Sequence, residues 1–170
     1  MNPTDYAKTL AAYNRWMNDR IYDACAKLSD EERKRDAGAF FKSIHGTLNH
    51  ILLGDRVWLG RLVGVPFVVK TLDQELYADF TELRAQRGKT DEDIVAWADS
   101  LTEAAFDGQM SYMSTVNPQL RIYPFWVAVT HLFNHQVHHR GQVTTLLTQR
   151  GIDPGVTDLI WLPQLQPMAS

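Results

Sequence analysis

The chain has 170 residues, 45% of them hydrophobic and 22% charged, with a formal net charge of −3. That length is one ordinary domain with room for a substantial core, and the slight negative charge gives neither a basic footprint for nucleic acid nor a reason to expect a membrane surface as partner. No apolar stretch approaches the ~20 residues that span a bilayer. The opening MNPTDYAKTLAAYNRW lacks a basic region followed by an apolar run, so no secretory signal is expected. A single cysteine, Cys25, excludes an internal disulfide and fits a reducing compartment. The expectation is therefore a cytoplasmic protein with no nucleic-acid and no membrane partner. Flanked by Ala24 and Ala26 in a helical stretch, the Cys25 thiol reads as a small packed side chain.

No repeat, linker or low-complexity stretch divides the sequence, so a single domain over residues 1–170 is expected. The first helix spans about Thr4 to Leu28, with Tyr6, Leu10, Tyr13, Met17, Ile21 and Ala24 at spacings of three and four, one helical stripe. Ser29 followed by Glu32 has the form of a capping box and starts a short helical turn. The second helix spans about Ser43 to Leu62, its inner face formed by Ile44, Leu48, Ile51, Leu52, Trp58, Leu59 and Leu62. Gly64 and Pro66 stop it. A third helical region covers roughly Leu72 to Phe106. Gly88, followed by Thr90 with Asp93 three residues on, makes this region either two helices or one kinked helix.

Met110 to Tyr123 alternates as MSYMSTV and LRIY around Asn117-Pro118, the pattern of an irregular connection or a short hairpin. Pro124 then stands where a first-turn proline is tolerated, and the last helix runs to about Arg150, stopped by Gly151. The proline-rich tail is expected to pack through Leu159, Ile160 and Trp161 without a long element. Helices dominate, and their lengths predict an all-α fold, an up-and-down four-helix bundle with short helices or a hairpin in its connections.

Four of the six histidines fall in one run, HLFNHQVHH, from His131 to His139. With His131 at zero on a helical wheel, Phe125, Val129, Leu132, Val143, Leu146 and Leu147 cluster between about 60° and about 160°. His139 falls at about 80° and His135 at about 40°, whereas His138 points away at about −20°. His135 and His139 are thus the inward pair, and side chains at i and i+4 lie about 5–6 Å apart at Cβ. Two neutral imidazoles so placed can converge on one borderline ion such as Zn²⁺, Ni²⁺ or Fe²⁺. Zinc hydrolases use the same spacing but follow the first histidine with a glutamate base; here Gln136 stands there, against a metalloprotease. A third ligand has to come from another helix. His50, in LNHILLGD, lies at the edge of the second helix's apolar face, whereas His45 falls on the other side of that wheel.

The motif Asn49-His50, the segment HLFNHQVHHRGQV from His131 to Val143, the run LLTQRGIDPGVTDLI after it and the opening YNRWMND from Tyr13 to Asp19 together resemble the DinB family of damage-inducible bacterial helical-bundle proteins, grouped with YfiT-like metal-dependent proteins. The resemblance extends over nearly the whole chain. It implies a four-helix bundle, commonly a homodimer, with one divalent metal ion on three histidines, carried over here to His50, His135 and His139. It also implies an activity to expect, since some relatives are thiol S-transferases that use bacillithiol or mycothiol.

Three protein ligands leave a coordination position for water or substrate. The expectation is a divalent-metal protein, zinc, nickel or iron, that transfers a small thiol to an electrophilic small molecule. The alternatives are a non-catalytic metal-binding module for stress response and dimerisation, or a metal-dependent hydrolase. For the last, Asp55 is the only carboxylate nominated as base; a hydrogen bond to a ligand histidine or to an arginine is its simpler role. Gln142, at about 20° on the last wheel, is a second candidate supporting residue. Arg140 lies opposite the core arc, where a salt bridge, a helix cap or a dimer contact would engage it. Tyr13, Trp16 and Met17 are candidates to line a pocket beside the ion.

Overall fold

The computed structural model describes residues 2–114 and 118–165. Helix α1 spans Pro3–Cys25, capped by the Asn2 side chain, which accepts from the Thr4 and Asp5 amides. A short α2, Asp30–Lys34, opens with the Ser29–Glu32 capping box in full. Helix α3 spans Ile44–Leu62, α4 Phe80–Ser100 and α5 Phe125–Thr148. Strands β1 (Gln109–Met113) and β2 (Leu120–Pro124) pair antiparallel, Gln109 opposite Pro124 and Met113 opposite Leu120. The alternation around Pro118 is therefore a hairpin; Asn117, at its expected turn, lies outside the described residues. Pro124 closes β2 and stands at the N-cap of α5.

Two expectations for the third region change. Residues 63–79 form no helix, because the backbone from Leu76 to Tyr77 is bonded instead to the Asn49 side chain and the helix begins only where Asp79 caps the Glu82 amide. Gly88 does not interrupt α4, which runs unbroken to Ser100.

The four long helices pack in the cyclic order α1, α4, α3, α5. Two apolar clusters fill the space between them. One gathers Met17, Ile21, Leu48, Leu52, Leu83 and Leu147 among others; the second gathers Ala7, Ala11, Ile94, Trp97, Val129 and Leu132. Each fully buried aliphatic side chain of this size contributes about 1.5–3 kcal/mol of burial free energy. Cys25 is wholly buried in the first cluster, where burial pushes its thiol up to about 12, so it is inert packing. The tail differs from expectation: Leu159, Ile160 and Trp161 stay 38%, 68% and 52% exposed, and Leu162 alone of the four is buried. A single 3-10 turn over Leu159–Trp161 is too short to bury all its side chains, and only the residue after it reaches the core.

Candidate metal centre

The i,i+4 spacing on α5 brings the rings of His135 and His139 to 4.5 Å between centroids. From α3, the His50 ring lies 5.1 Å from that of His135 and 4.5 Å from that of His139. One nitrogen from each ring falls within 4.8 Å of the others, the single such group of ligand-type side chains among the described residues.

The hydrogens on these rings follow from their partners. The Leu72 carbonyl, 2.8 Å from His50 Nδ1, can only accept, so Nδ1 carries the hydrogen and Nε2 keeps its lone pair. Gln142 Oε1, 2.8 Å from His139 Nδ1, does the same for His139. Such outer partners orient histidine ligands in metal centres. His50 Nε2 and His135 Nε2 face each other at 3.2 Å; since His50 holds its hydrogen on Nδ1, the one between them sits on His135. His135 Nδ1 is buried with no hydrogen-bond partner.

Burial lowers all three imidazoles: His50 to about 4, with Leu72 pulling the other way, and His135 to about 3, helped down by His139 and His50. For His139 burial again leads, opposed by the Gln142 bond. Three neutral, converging imidazoles are a donor set that suits a borderline divalent cation. In a tetrahedral zinc shell neighbouring ligand nitrogens lie about 3.3 Å apart, and the closest pair here already has that spacing. The cluster lies at the edge of a cavity of about 950 Å³, with Phe40, Lys42 and Asp73 on its walls. Phe41 covers one side, stacked on His50 at 3.7 Å between ring centroids.

The other histidines supply no nitrogen to the cluster, although the rings of His131 and His138 lie 5.9 Å from His135 and 4.8 Å from His139. His131 is exposed on α5 with its ring 4.4 Å from Trp58, and His138 points outward. His45 is buried, Nε2 2.9 Å from the Tyr77 carbonyl and 3.4 Å from Glu75. Asp55 is wholly buried and bonded to Arg87; burial raises its carboxyl and Arg87 pulls it back. It does not line the cavity, which removes it as a base for hydrolysis. Arg140 is not on the outer face: it is 4% exposed and bonded to Asn14, Asn18 and Gln136. The apolar arc of α5 understates its buried face, which also includes polar positions facing α1. Tyr13, Trp16 and Met17 pack in or against the first apolar cluster, away from the cavity.

Two contributors, Gly54 and Phe41, have no sequence signature, and a third, Asn49, stands in the family motif beside His50 without its role being legible there. Gly54 on α3 gives His135 its place: a Cβ there would stand 2.7 Å from the ring's Cε1. Asn49, one residue before His50, accepts from the amides of Leu76 and Tyr77 at 2.9 and 3.0 Å and donates to the Tyr77 carbonyl at 3.1 Å. It thereby ties down the connection that supplies the Leu72 carbonyl. Phe41 comes from an irregular stretch before α3.

A helical protein with a three-histidine cluster beside an open cavity is the class these features define. The sequence profile of the DinB family matches residues 1–169, and the chain belongs to that family. It is similar to Protein DinB of Bacillus subtilis (strain 168), 29% identical over 164 residues covering 91% of this chain and 92% of that protein. The crystal structure of a DinB-like protein from Bacillus cereus ATCC 10987 has the same fold: it covers 85% of this chain and 91% of its own, with a TM-score of 0.62 at 22% identity.

Proposed function

We propose that this protein holds one divalent metal ion, zinc, nickel or iron, on His50, His135 and His139 inside a four-helix bundle, and that the open side of this centre binds a low-molecular-weight thiol for transfer to an electrophile. One observation carries the reading: three neutral imidazoles converge at a cavity, and two have their Nδ1 hydrogens committed to Leu72 and Gln142. When bound, such an ion lowers the pKa of a coordinated thiol and holds the thiolate as a nucleophile. The protein's own contribution is orientation and exclusion of water. Leu72 and Gln142 keep two Nε2 lone pairs aimed at the cluster, and Phe41 shields His50. Lys42 and Asp73 present charges of both signs to a polar thiol carrier.

Elemental analysis of protein purified without a metal-affinity tag tests the centre, with stoichiometric metal expected in the wild type and lost in the three His→Ala variants. Full occupancy in all three variants refutes the ligand assignment. Turnover of several thiols with monochlorobimane by metal-loaded protein tests the transfer. No metal-dependent rate with any of them leaves a non-catalytic metal-binding module. A homodimer is part of this proposal, supported by the outer face of α5: Trp126, Asn134, Val137, Gly141, Thr145 and Thr148 are exposed, and the helix's single Lys, Arg, Asp or Glu, Arg140, is buried.

A further inference from the structure

Between the two apolar clusters lies a layer of polar side chains. Four carry formal charge and are almost wholly buried: Asp55 at 0%, Arg87 at 2%, Asp91 at 1% and Arg140 at 4% exposure. Arg87 bridges the two carboxylates, hydrogen-bonded to Asp55 and, through Nε at 3.1 Å, to Asp91, with Nη2 in ion-pair contact at 3.0 Å from the same carboxylate. Asn14 and Asn18 each donate to Asp91 at 2.9 Å and accept from Arg140, which also donates to Gln136 at 2.9 Å. The charges sum to zero. All four long helices contribute, α1 through the asparagines, α3 through Asp55, α4 through Arg87 and Asp91, and α5 through Gln136 and Arg140.

A layer of this kind is a poor way to stabilise a fold. Taking charges out of water offsets most of their mutual attraction, and apolar replacements of similar volume are often neutral or better. What it supplies is direction, because each bond fixes the angle of one helix relative to another. Its position matches that role. Gln136 and Arg140 directly follow His135 and His139, and Asp55 directly follows Gly54, against which His135 packs. Successive helical residues project about 100° apart, so fixing one face fixes the next. A rotation of about 10° around a helix axis moves an atom about 6 Å off that axis by ~1 Å, whereas metal–ligand distances tolerate about 0.2 Å.

We infer that this buried layer is a rotational key for the histidine cluster, with Arg140 its positioning residue on α5. It acts through the helix backbone and touches no ligand. The consequence for metal affinity rests on the proposed three-histidine centre; the consequence for ring positions does not.

The test uses the full chain as Arg140→Met, Gln136→Leu and Arg140→Lys, each checked for folding by far-UV circular dichroism. Imidazole ¹⁵N–¹H spectra of metal-free protein come first. The Met and Leu variants are expected to shift the His135 and His139 signals and leave His45, on α3 and bonded to the Tyr77 carbonyl, in place. Co²⁺ titration follows, with affinity expected to fall about 10- to 100-fold, the usual effect of losing an outer partner, and the visible cobalt bands to change. Arg140→Lys, which keeps a charged donor, is expected to recover part of both. Unmoved imidazole signals with cobalt affinity within threefold of wild type, in either folded variant, overturn the inference. Gln136→Leu keeps every charge and serves if Arg140→Met does not fold. Should wild-type protein bind no cobalt, the metal reading fails and the imidazole shifts alone decide this one.

Discussion

Gly54→Ala is a sharp probe of the centre because it adds one methyl group at a known place. The new Cβ would stand 2.7 Å from Cε1 and 3.2 Å from Nδ1 of His135, about 0.7 Å inside the ordinary contact limit of ~3.4 Å at the closer atom. Helix α3 is held on both sides by neighbouring helices, so the imidazole is the part free to yield. A ring displaced by several tenths of an ångström exceeds the ~0.2 Å tolerance of metal–ligand distances, and zinc affinity should fall about 10- to 100-fold, about 1.4–2.7 kcal/mol. Stability of the metal-free protein should fall by no more than about 2 kcal/mol. Overpacking costs about 1–3 kcal/mol, offset by the ~1 kcal/mol that alanine gains over glycine within a helix. Gly88→Ala on α4 is the control: nothing lies within 4 Å of its Cβ, so it should gain up to ~1 kcal/mol without touching zinc binding. Urea denaturation of stripped protein and competitive zinc titration measure the two quantities. Wild-type zinc affinity in Gly54→Ala would refute the idea that this close approach sets the His135 ring.

Other predictions concern the surroundings. Proton competition for the metal should begin late on acidification: burial holds His50 at about 4 and His135 at about 3, so both rings are already neutral well below pH 6.5. His50 and His135 should therefore cost the metal no affinity between pH 7 and about 5 and begin to do so only below that; a tenfold loss by pH 6 in a competition assay contradicts it. The same depression means that these rings support the metal-free fold fully above the unfolded value near 6.5, and that this support declines as pH falls toward 4 and 3. Lys42 has φ 64°, a left-handed conformation costing L-residues roughly 1–2 kcal/mol, so Lys42→Gly should raise stability by ~0.5–1 kcal/mol in thermal unfolding; a drop would show that the side chain contributes more than the strain costs. Asn49→Ala frees two amides and a carbonyl of the connection. At about 1 kcal/mol per net hydrogen bond it should cost ~2–3 kcal/mol in urea denaturation and open residues 63–79 to limited proteolysis. Wild-type resistance would exclude Asn49 as the anchor.

The sequence carried the helices and the inward histidine pair because both are local: periodicity marks α1, α3 and α5, and the wheel separates His135 and His139 from His131 and His138. It misplaced Arg140 for a physical reason. An arc drawn through apolar residues assumes that buried means apolar, and in this protein Asn14, Asn18, Asp55, Arg87, Asp91, Gln136 and Arg140 are all buried. The start of α4 failed similarly, since Leu72 and Leu76 have helical spacing but their segment is bonded by Asn49, a residue distant in sequence. Gly54 is invisible to any local rule. Its meaning depends on a ring that arrives from another helix.

The bond from His50 to the Leu72 carbonyl places part of the centre's machinery on a surface connection. Linkage is reciprocal: if the proposed ion binds, whatever steadies residues 72–77 should tighten its hold, and the ion should steady those residues by the same factor. Occupancy of the histidines would therefore be legible from outside, as slower amide exchange at Leu76 and Tyr77.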